Sequence, residues 1–163
     1  MNRKRLNFEA MRDAMLQISG ELDLTLYGPS QKLHSKPYSK RRAVYGYIDR
    51  QNIAPTLNSF DFANPNIHAP QRVETTVPQQ ALFAFNHPFV IERSATLARK
   101  ALDSLPANPF SRVEFLYRQI LSRNPESDES KLGVEFLGSN ANLANLEDLA
   151  QTLLVSNEFF FTD

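Results

Sequence analysis

Apolar residues recur every three or four positions along most of this chain, and this spacing constrains its fold more than any other feature. In the first such segment, one helical face would carry Phe8, Met11, Met15, Ile18 and Leu22. The same spacing returns between residues 81 and 154, where prolines interrupt it, and no segment shows convincing strand-like alternation. The pattern predicts an all-α fold: a single compact domain over residues 1–163, with about seven helices, Pro-rich connecting loops and little or no strand.

Caps and prolines predict where these helices begin and end. Asn7 can cap the first helix, and Gly20 can end it. The segments 76–79 and 111–114 each match a capping box, in which a hydroxyl and a Gln or Glu side chain satisfy backbone donors. Further helix boundaries are predicted at Pro88, Pro106 and Asn124-Pro125.

Two segments lack a clear period. Residues 24–40 are rich in Gly, Pro and Ser and predict a loop, packed onto the domain through Leu24, Leu26, Tyr27, Leu33 and Tyr38. Residues 40–50 combine strand-forming residues with a spacing that also suits a helix, and we favour the helix. Pro55 can then open a short helix that directs Leu57 and Phe60 inward and ends at Asp61.

The C-terminal third carries two further apolar groups. The core face of the helix after Ser127 is predicted to consist of Leu132, Val134, Phe136 and Leu137. Phe159, Phe160 and Phe161 are expected to be buried, because three consecutive phenylalanines would otherwise form an exposed apolar patch.

The charges cancel overall but are unevenly distributed. With 18 Lys/Arg and 18 Asp/Glu the net charge is zero, so we predict no nucleic-acid partner. Residues 1–50 hold ten Lys/Arg and five Asp/Glu, whereas residues 126–163 hold one Lys and eight Asp/Glu. Either the basic and acidic regions balance each other within the fold, or the basic face docks an acidic partner.

Several kinds of site are excluded or lack a motif. The chain has no Cys, which excludes disulfides, thiolate metal sites, covalent haem attachment and a cysteine nucleophile within it. His34, His68 and His87 do not have the spacing of metal ligands, and the five glycines form no phosphate-binding or dinucleotide motif. No apolar run reaches the roughly 18 residues of a membrane span. We therefore predict no metal site, no cofactor in this chain and no membrane span.

Four sequence runs resemble a known family. They are NRKRLNFEAMRDAMLQISGELDLTLYGPS, RRAVYGYIDRQNIAPTLNSFDFANPN, ETTVPQQALFAFNHPFV and the terminal LLVSNEFFFTD. Together they are similar to the C-terminal domain of unknown function 1553 of large planctomycete proteins. The resemblance implies a C-terminal part of a larger multidomain protein, with upstream domains as partners, often a c-type cytochrome domain among them, and export to the periplasm or the cell exterior. It implies no activity.

The loop that follows Asp61 is the first candidate site. Asp61, Asn64, Asn66 and His68 offer oxygen ligands and an imidazole that could bind a hard cation or the hydroxyls of a sugar. Alternatively, the Asn and Asp residues beside proline only form turns. Arg72, Glu74 and Thr75 precede a helix and could bind an anion at its N-terminus, or Arg72 and Glu74 could pair structurally.

A second candidate site lies at residues 41–47. Arg41 and Arg42 are followed by Tyr45 and Tyr47, a combination that can stack on sugars or bases, although tyrosines at this spacing also pack in cores. On the first helix, Glu9, Arg12 and Asp13 lie within one turn and predict a salt bridge inside the helix or to another domain.

These residues support three hypotheses for the function. The first is a non-catalytic helical module that forms an interdomain or recognition surface, with polysaccharide as a candidate ligand. The second is half of a hydrolase site, with Asp61, His68 and Glu74 as catalytic candidates and Arg72 beside them, completed by an upstream domain. The third is a docking surface for a cytochrome domain through Arg41 and Arg42.

Overall fold

Eight α-helices form most of the part of the chain that the structure describes, and the predicted all-α class is confirmed. The structure is a computed structural model and describes residues 3–105, 108–139 and 141–162. The helices are α1 (Phe8–Ser19), α2 (Pro55–Ser59), α3 (Pro78–Asn86), α4 (Pro88–Ser104), α5 (Pro109–Leu121), α6 (Ser127–Leu137), α7 (Leu143–Leu154) and α8 (Asn157–Phe160). Within these ranges no helix combines the length and the apolar character needed to cross a membrane.

Helix α4 is the centre of the core. Val90, Leu97, Ala98 and Ala101 have positions that share one face of the helix, and all four are fully buried. Helix α4 packs mainly against α7 and also contacts α1, α3 and α5. Helix α6 packs against α5 and α7, so it lies farther from α1.

Helix α1 has the predicted ends. The Asn7 side chain accepts a hydrogen bond from the Ala10 amide, and Gly20 ends the helix in the left-handed conformation with φ of 71°. Phe8, Met11 and Met15 are buried as the apolar spacing predicted. The exposed side of α1 therefore faces away from α4. The candidate site lies on this exposed side.

The two ends of the described chain meet in a short antiparallel sheet. Strand β1 (Lys4–Arg5) pairs with β2 (Phe161–Thr162), and Arg5 lies opposite Phe161. Phe159 and Phe160 are buried as predicted, whereas Phe161, in β2, is only half-buried. This pairing holds the segment before α1 against the C-terminal helices.

The predicted helix over residues 40–50 is wrong. Only a 3-10 turn forms there (Ala43–Tyr45), and isolated bridges pair Asp23 with Arg41 and Gln31 with Gly46. The polar side chains of α1 explain the extended path: Arg12 donates to the carbonyls of Ser39 and Arg41, and the Asp13 carboxylate accepts from the Ala43 amide at 2.8 Å. Contacts between distant residues thus override the local helix preference.

The predicted anchoring of the 24–40 loop is only partly correct. Leu33 is buried and Tyr38 packs on the core, but Leu24, Leu26 and Tyr27 are exposed. Arg41 holds this part of the loop instead, because its buried guanidinium donates to the carbonyls of Thr25, Tyr27 and Pro29.

Both predicted capping boxes are displaced. Helix α3 begins after Val77, whose amide donates to the Gln80 side chain at 3.4 Å, so Thr76 is not the cap. Helix α5 begins at Pro109, with Asn108 as its cap, because proline at the first helical position needs no amide partner. Pro88 does separate α3 from α4, whereas Pro106 lies outside the described residues.

The predicted core face of α6 is also partly wrong. Leu137 is buried, but Leu132 and Phe136 are 67% and 50% exposed. Gly133 faces α5 instead, and a Cβ atom there would lie 2.9 Å from both methyl carbons of Val113. The close approach at this glycine turns the two large side chains outward.

Candidate functional site

Asp61 joins three segments of the chain. It follows α2 and its C-terminal cap, Phe60, in the left-handed conformation, with φ of 58°, which aspartate tolerates better than most residues. One carboxylate oxygen accepts from Arg5 Nη2 at 2.8 Å and from the Thr75 amide at 2.9 Å, and the other accepts from the Thr75 hydroxyl at 2.7 Å. The side chains of Arg5 and Asp61 are 8% and 14% exposed, so this is a largely buried ion pair.

Arg72 pairs with Glu9 of α1, not with Glu74. Its two terminal nitrogens donate to the two Glu9 oxygens at 3.0 and 2.8 Å, and its guanidinium lies 4.9 Å from the centre of the Phe62 ring. Burial acts to raise the pKa of Glu9, but the hydrogen bonds from Arg72, a backbone hydrogen bond and the charge of Arg72 together lower that pKa below its ordinary value. Glu74 is half-exposed and lies 4.0 Å from Lys4.

The other candidates of the 61–76 loop have separate positions. The Asn64 side chain accepts from the Asn66 amide at 2.9 Å, which is the local turn that asparagine favours, and the Asn66 side chain donates to the Arg50 carbonyl at 3.0 Å. His68 is exposed. Asp61, Arg72 and Glu74 line one cavity of about 280 Å³, and His68 is not among the residues that line it.

Arg41 and Arg42 differ in their surroundings. Arg41 is buried, and its guanidinium lies 3.9 Å from the centre of the Tyr45 ring, while the Tyr45 hydroxyl accepts from the Tyr27 amide at 3.0 Å. Arg42 is exposed. Only Arg42 of this pair therefore presents its charge to a partner.

Three cavities that share lining residues form a groove, which we call the α1 groove because two of the three lie beside α1. The cavity beside Asp61 shares Asn7 and Ala10 with a larger one of about 470 Å³, lined by Glu9, Asp13, His34 and Arg42 among others. That cavity shares His34 and Ile48 with a third of about 310 Å³, whose lining includes Tyr47 and Asp49. The α1 groove therefore runs from β1 to the 3-10 turn.

Asp13 and His34 line the middle cavity of the α1 groove, and the surroundings of each shift its pKa. Burial raises the pKa of Asp13 against the opposing hydrogen bond from the Ala43 amide and the nearby Arg12. Burial, together with the charge of Arg12, lowers the pKa of His34, whose ring stacks on Phe8 with centroids 5.3 Å apart. Perturbed ionisable groups that line a cavity are typical of binding sites.

The sequence did not single out this middle cavity. Glu9 and Asp13 lie four positions apart on one helix face, which was a usable signal, but His34 reaches the cavity only through the extended path of the loop. Among the residues that the structure describes, no group of three or more His, Asp or Glu side chains could hold a metal ion. The lining of the α1 groove combines charged side chains such as Glu9 and Arg42 with apolar ones such as Ile48 and Phe62.

The sequence comparisons support the resemblance. A family model described as PSD1, protein of unknown function (DUF1553), matches residues 1–137, from the N-terminal residues through α6. The terminal run LLVSNEFFFTD lies beyond that match. Comparison with curated proteins and with solved structures gives no match. Because the family model covers most of the chain, this protein belongs to the PSD1 family of unknown function (DUF1553).

Proposed function

We propose that this chain is a non-catalytic recognition module of an exported multidomain protein, and that the α1 groove binds a neutral polysaccharide. The observation that carries the proposal is the state of Asp61, the strongest catalytic candidate. Its oxygens accept three hydrogen bonds from Arg5 and Thr75, so the carboxylate serves to fix the wall of the groove. A general acid or base needs an oxygen within reach of substrate.

The charges along the α1 groove favour a neutral ligand. Arg5 neutralises Asp61 and Arg72 neutralises Glu9, each at 2.8 Å. Asp13 lies 3.2 Å from Arg12. The charged side chains that line the three cavities also balance: five are basic (Lys4, Arg5, Lys32, Arg42 and Arg72) and five are acidic (Glu9, Asp13, Asp49, Asp61 and Glu74). The wall therefore offers hydrogen-bonding groups without a strong net field, which suits sugar hydroxyls better than a phosphate or a polycation.

The shape of the α1 groove favours an extended ligand. Its three cavities adjoin end to end, so one sugar unit could occupy each. Phe62 in the middle cavity and the half-exposed Tyr47 in the third offer ring faces, against which the apolar face of a sugar packs well. The exported, multidomain setting is proposed from the family resemblance, with upstream domains of the same protein as partners.

A hydrolase half-site is the second candidate function. The observation in its favour is that Asp61, Arg72 and Glu74 line one cavity. In this proposal Glu74, half-exposed beside Lys4, is the carboxyl available for proton transfer, and an upstream domain supplies the remaining group. Docking of a cytochrome domain would depend on Arg42 alone, because the charge of Arg41 is buried.

The test combines binding with product analysis. Calorimetry with hexasaccharides of cellulose, xylan and chitin measures affinity, and chromatography of the same mixtures detects cleavage. Ala10→Tyr places a bulky side chain where the first two cavities meet, while Gln17→Tyr adds the same side chain to another exposed position of α1. We expect at least tenfold weaker binding for Ala10→Tyr, unchanged binding for Gln17→Tyr, and intact sugars.

Two outcomes would contradict the proposal. Equal affinities for the two tyrosine variants would mean that sugars bind elsewhere or not at all. Cleavage of a hexasaccharide that disappears in Glu74→Gln would establish the hydrolase instead.

A further inference from the structure

The outer face of α5 and α6 exposes three large apolar side chains. Phe110 is 51% exposed, and Leu132 and Phe136 lie one turn apart on α6 at 67% and 50% exposure. The helices run antiparallel and meet where Gly133 contacts Val113. Phe110, one turn before Val113, is therefore level with Phe136, one turn after Gly133. We call this surface the α6 face.

The α6 face is acidic. Glu126, Asp128 and Glu135 are exposed on α6, whose Lys131 pairs with Asp128 at 3.2 Å, and the exposed Arg118 of α5 pairs with Glu114 at 3.4 Å. Glu126 and Glu135 therefore leave this face with an excess of negative charge. An exposed apolar patch with charges of one sign around it is typical of a surface that binds a partner of opposite charge.

A second surface of the same chain has the complementary character. We call it the loop face: exposed residues between positions 24 and 47, of which the apolar members are Leu24, Leu26, Tyr27, Val44 and Tyr47. Its basic members are the exposed Lys32, Lys36, Lys40 and Arg42, of which Lys32 and Arg42 also line the α1 groove. Lys40 forms an ion pair with Glu21, and Lys36 with Glu92, each at 2.9 Å. The Asp23 carboxylate accepts a hydrogen bond from the Thr25 amide.

The loop face is firmly attached to the helical core. Arg41 donates to three loop carbonyls beneath it, and Arg12 of α1 donates to two more. A surface held in this way loses little conformational entropy when it binds a partner.

We propose that the α6 face of one copy of this chain binds the loop face of a second copy. The occupant follows from charge complementarity, because acidic and apolar groups on one face meet basic and apolar groups on the other. The two faces use different elements: α6 contacts α5 and α7, while the 3-10 turn of the loop face contacts α1. Such a head-to-tail contact leaves one face free on each end, so copies can add in series.

Sedimentation velocity of this chain across a concentration series tests the proposal. We expect the average mass to rise with concentration at low salt and to fall when NaCl is raised to about 0.5 M, where the Debye length is only a few ångströms. Even weak complexes have dissociation constants of about 1 mM or below. The proposal would be overturned if the chain stayed a monomer at every concentration up to about 1 mM.

Charge reversal identifies the two faces. Glu126→Lys with Glu135→Lys makes the α6 face basic, and Lys32→Glu with Arg42→Glu makes the loop face acidic. Each double variant alone should be monomeric, and an equimolar mixture should associate again, because both pairings in the mixture join opposite charges. Association of each variant by itself, at the wild-type level, would refute the head-to-tail contact.

The apolar part of the contact has its own matched pair of variants. Phe136→Ser should weaken association at least tenfold, while Leu82→Ser, at a similarly exposed position on α3, should leave it unchanged. Circular dichroism at 222 nm confirms that both variants keep their helices. If both variants lost association to the same extent, or if neither lost it, the α6 face would have no specific role.

Discussion

The substitution Asp61→Asn tests whether Asp61 is a structural residue. The amide has the shape of the carboxylate and also tolerates a φ of 58°, so the change removes the charge and leaves the backbone unstrained. Arg5, whose side chain is 8% exposed, then keeps a buried charge without its partner. Breaking a buried pair in this way costs about 3–5 kcal/mol, out of a typical total stability of about 5–15 kcal/mol.

Urea unfolding followed by circular dichroism measures this cost. The free energy of unfolding falls by about 2 kcal/mol for each molar of urea, so a loss of about 3 kcal/mol in that free energy lowers the unfolding midpoint by about 1.5 M. Glu74→Gln is the control, because that half-exposed carboxylate lies 4.0 Å from Lys4 and contributes about 0–1 kcal/mol. If both variants unfold within about 0.3 M of the wild type, the buried clamp at Asp61 is not a stabilising feature and the reasoning fails.

Three further predictions concern stability. Gly133→Ala should lower the free energy of unfolding, measured by thermal unfolding, by about 1 kcal/mol. Overpacking against α5 costs about 1–3 kcal/mol, and the better helix propensity of alanine offsets about 1 kcal/mol of that cost. Arg41→Ala should cost about 2 kcal/mol or more in urea unfolding, whereas Arg42→Ala should stay within about 0.5 kcal/mol. Hydrogen bonds from Arg123 lower the pKa of Glu129 from 4.5 to about 2. The stability that this pair contributes is therefore present above pH 4.5 and is lost as the pH falls towards 2. In Glu129→Gln, the free energy of unfolding should fall less steeply between pH 4.5 and pH 2 than in the wild type.

Helix periodicity predicted the parts of the fold that depend on local pattern. The apolar faces of α1 and α7 and the cap at Asn7 follow from spacing within one segment. The α6 face shows the limit of this signal, because Leu132 and Phe136 fit a core pattern but the small size of Gly133 decides which side meets α5. A contact between two helices cannot be read from the period of one.

The candidate site depends more than the helices do on ion pairs between residues that are far apart in the sequence. Asp61 and Thr75 were both candidate residues of the 61–76 loop, but their partner Arg5 lies 56 residues before Asp61. Arg72 pairs with Glu9, 63 residues away, although Glu74 was the nearer carboxylate in sequence. The residues of the 61–76 loop were therefore found from their chemistry, while the α1 groove that they border required the three-dimensional path of the chain.

Mapping of ligand contacts by NMR tests the central claim most directly. Backbone amide shifts are recorded for this chain during titration with the hexasaccharide that binds best. The account predicts shift changes at Ala10, Ala43 and Gly46, all of which line the α1 groove, with an unchanged sugar spectrum over hours. Shift changes confined to other surfaces, or the appearance of reducing-end signals from shorter sugars, would contradict it.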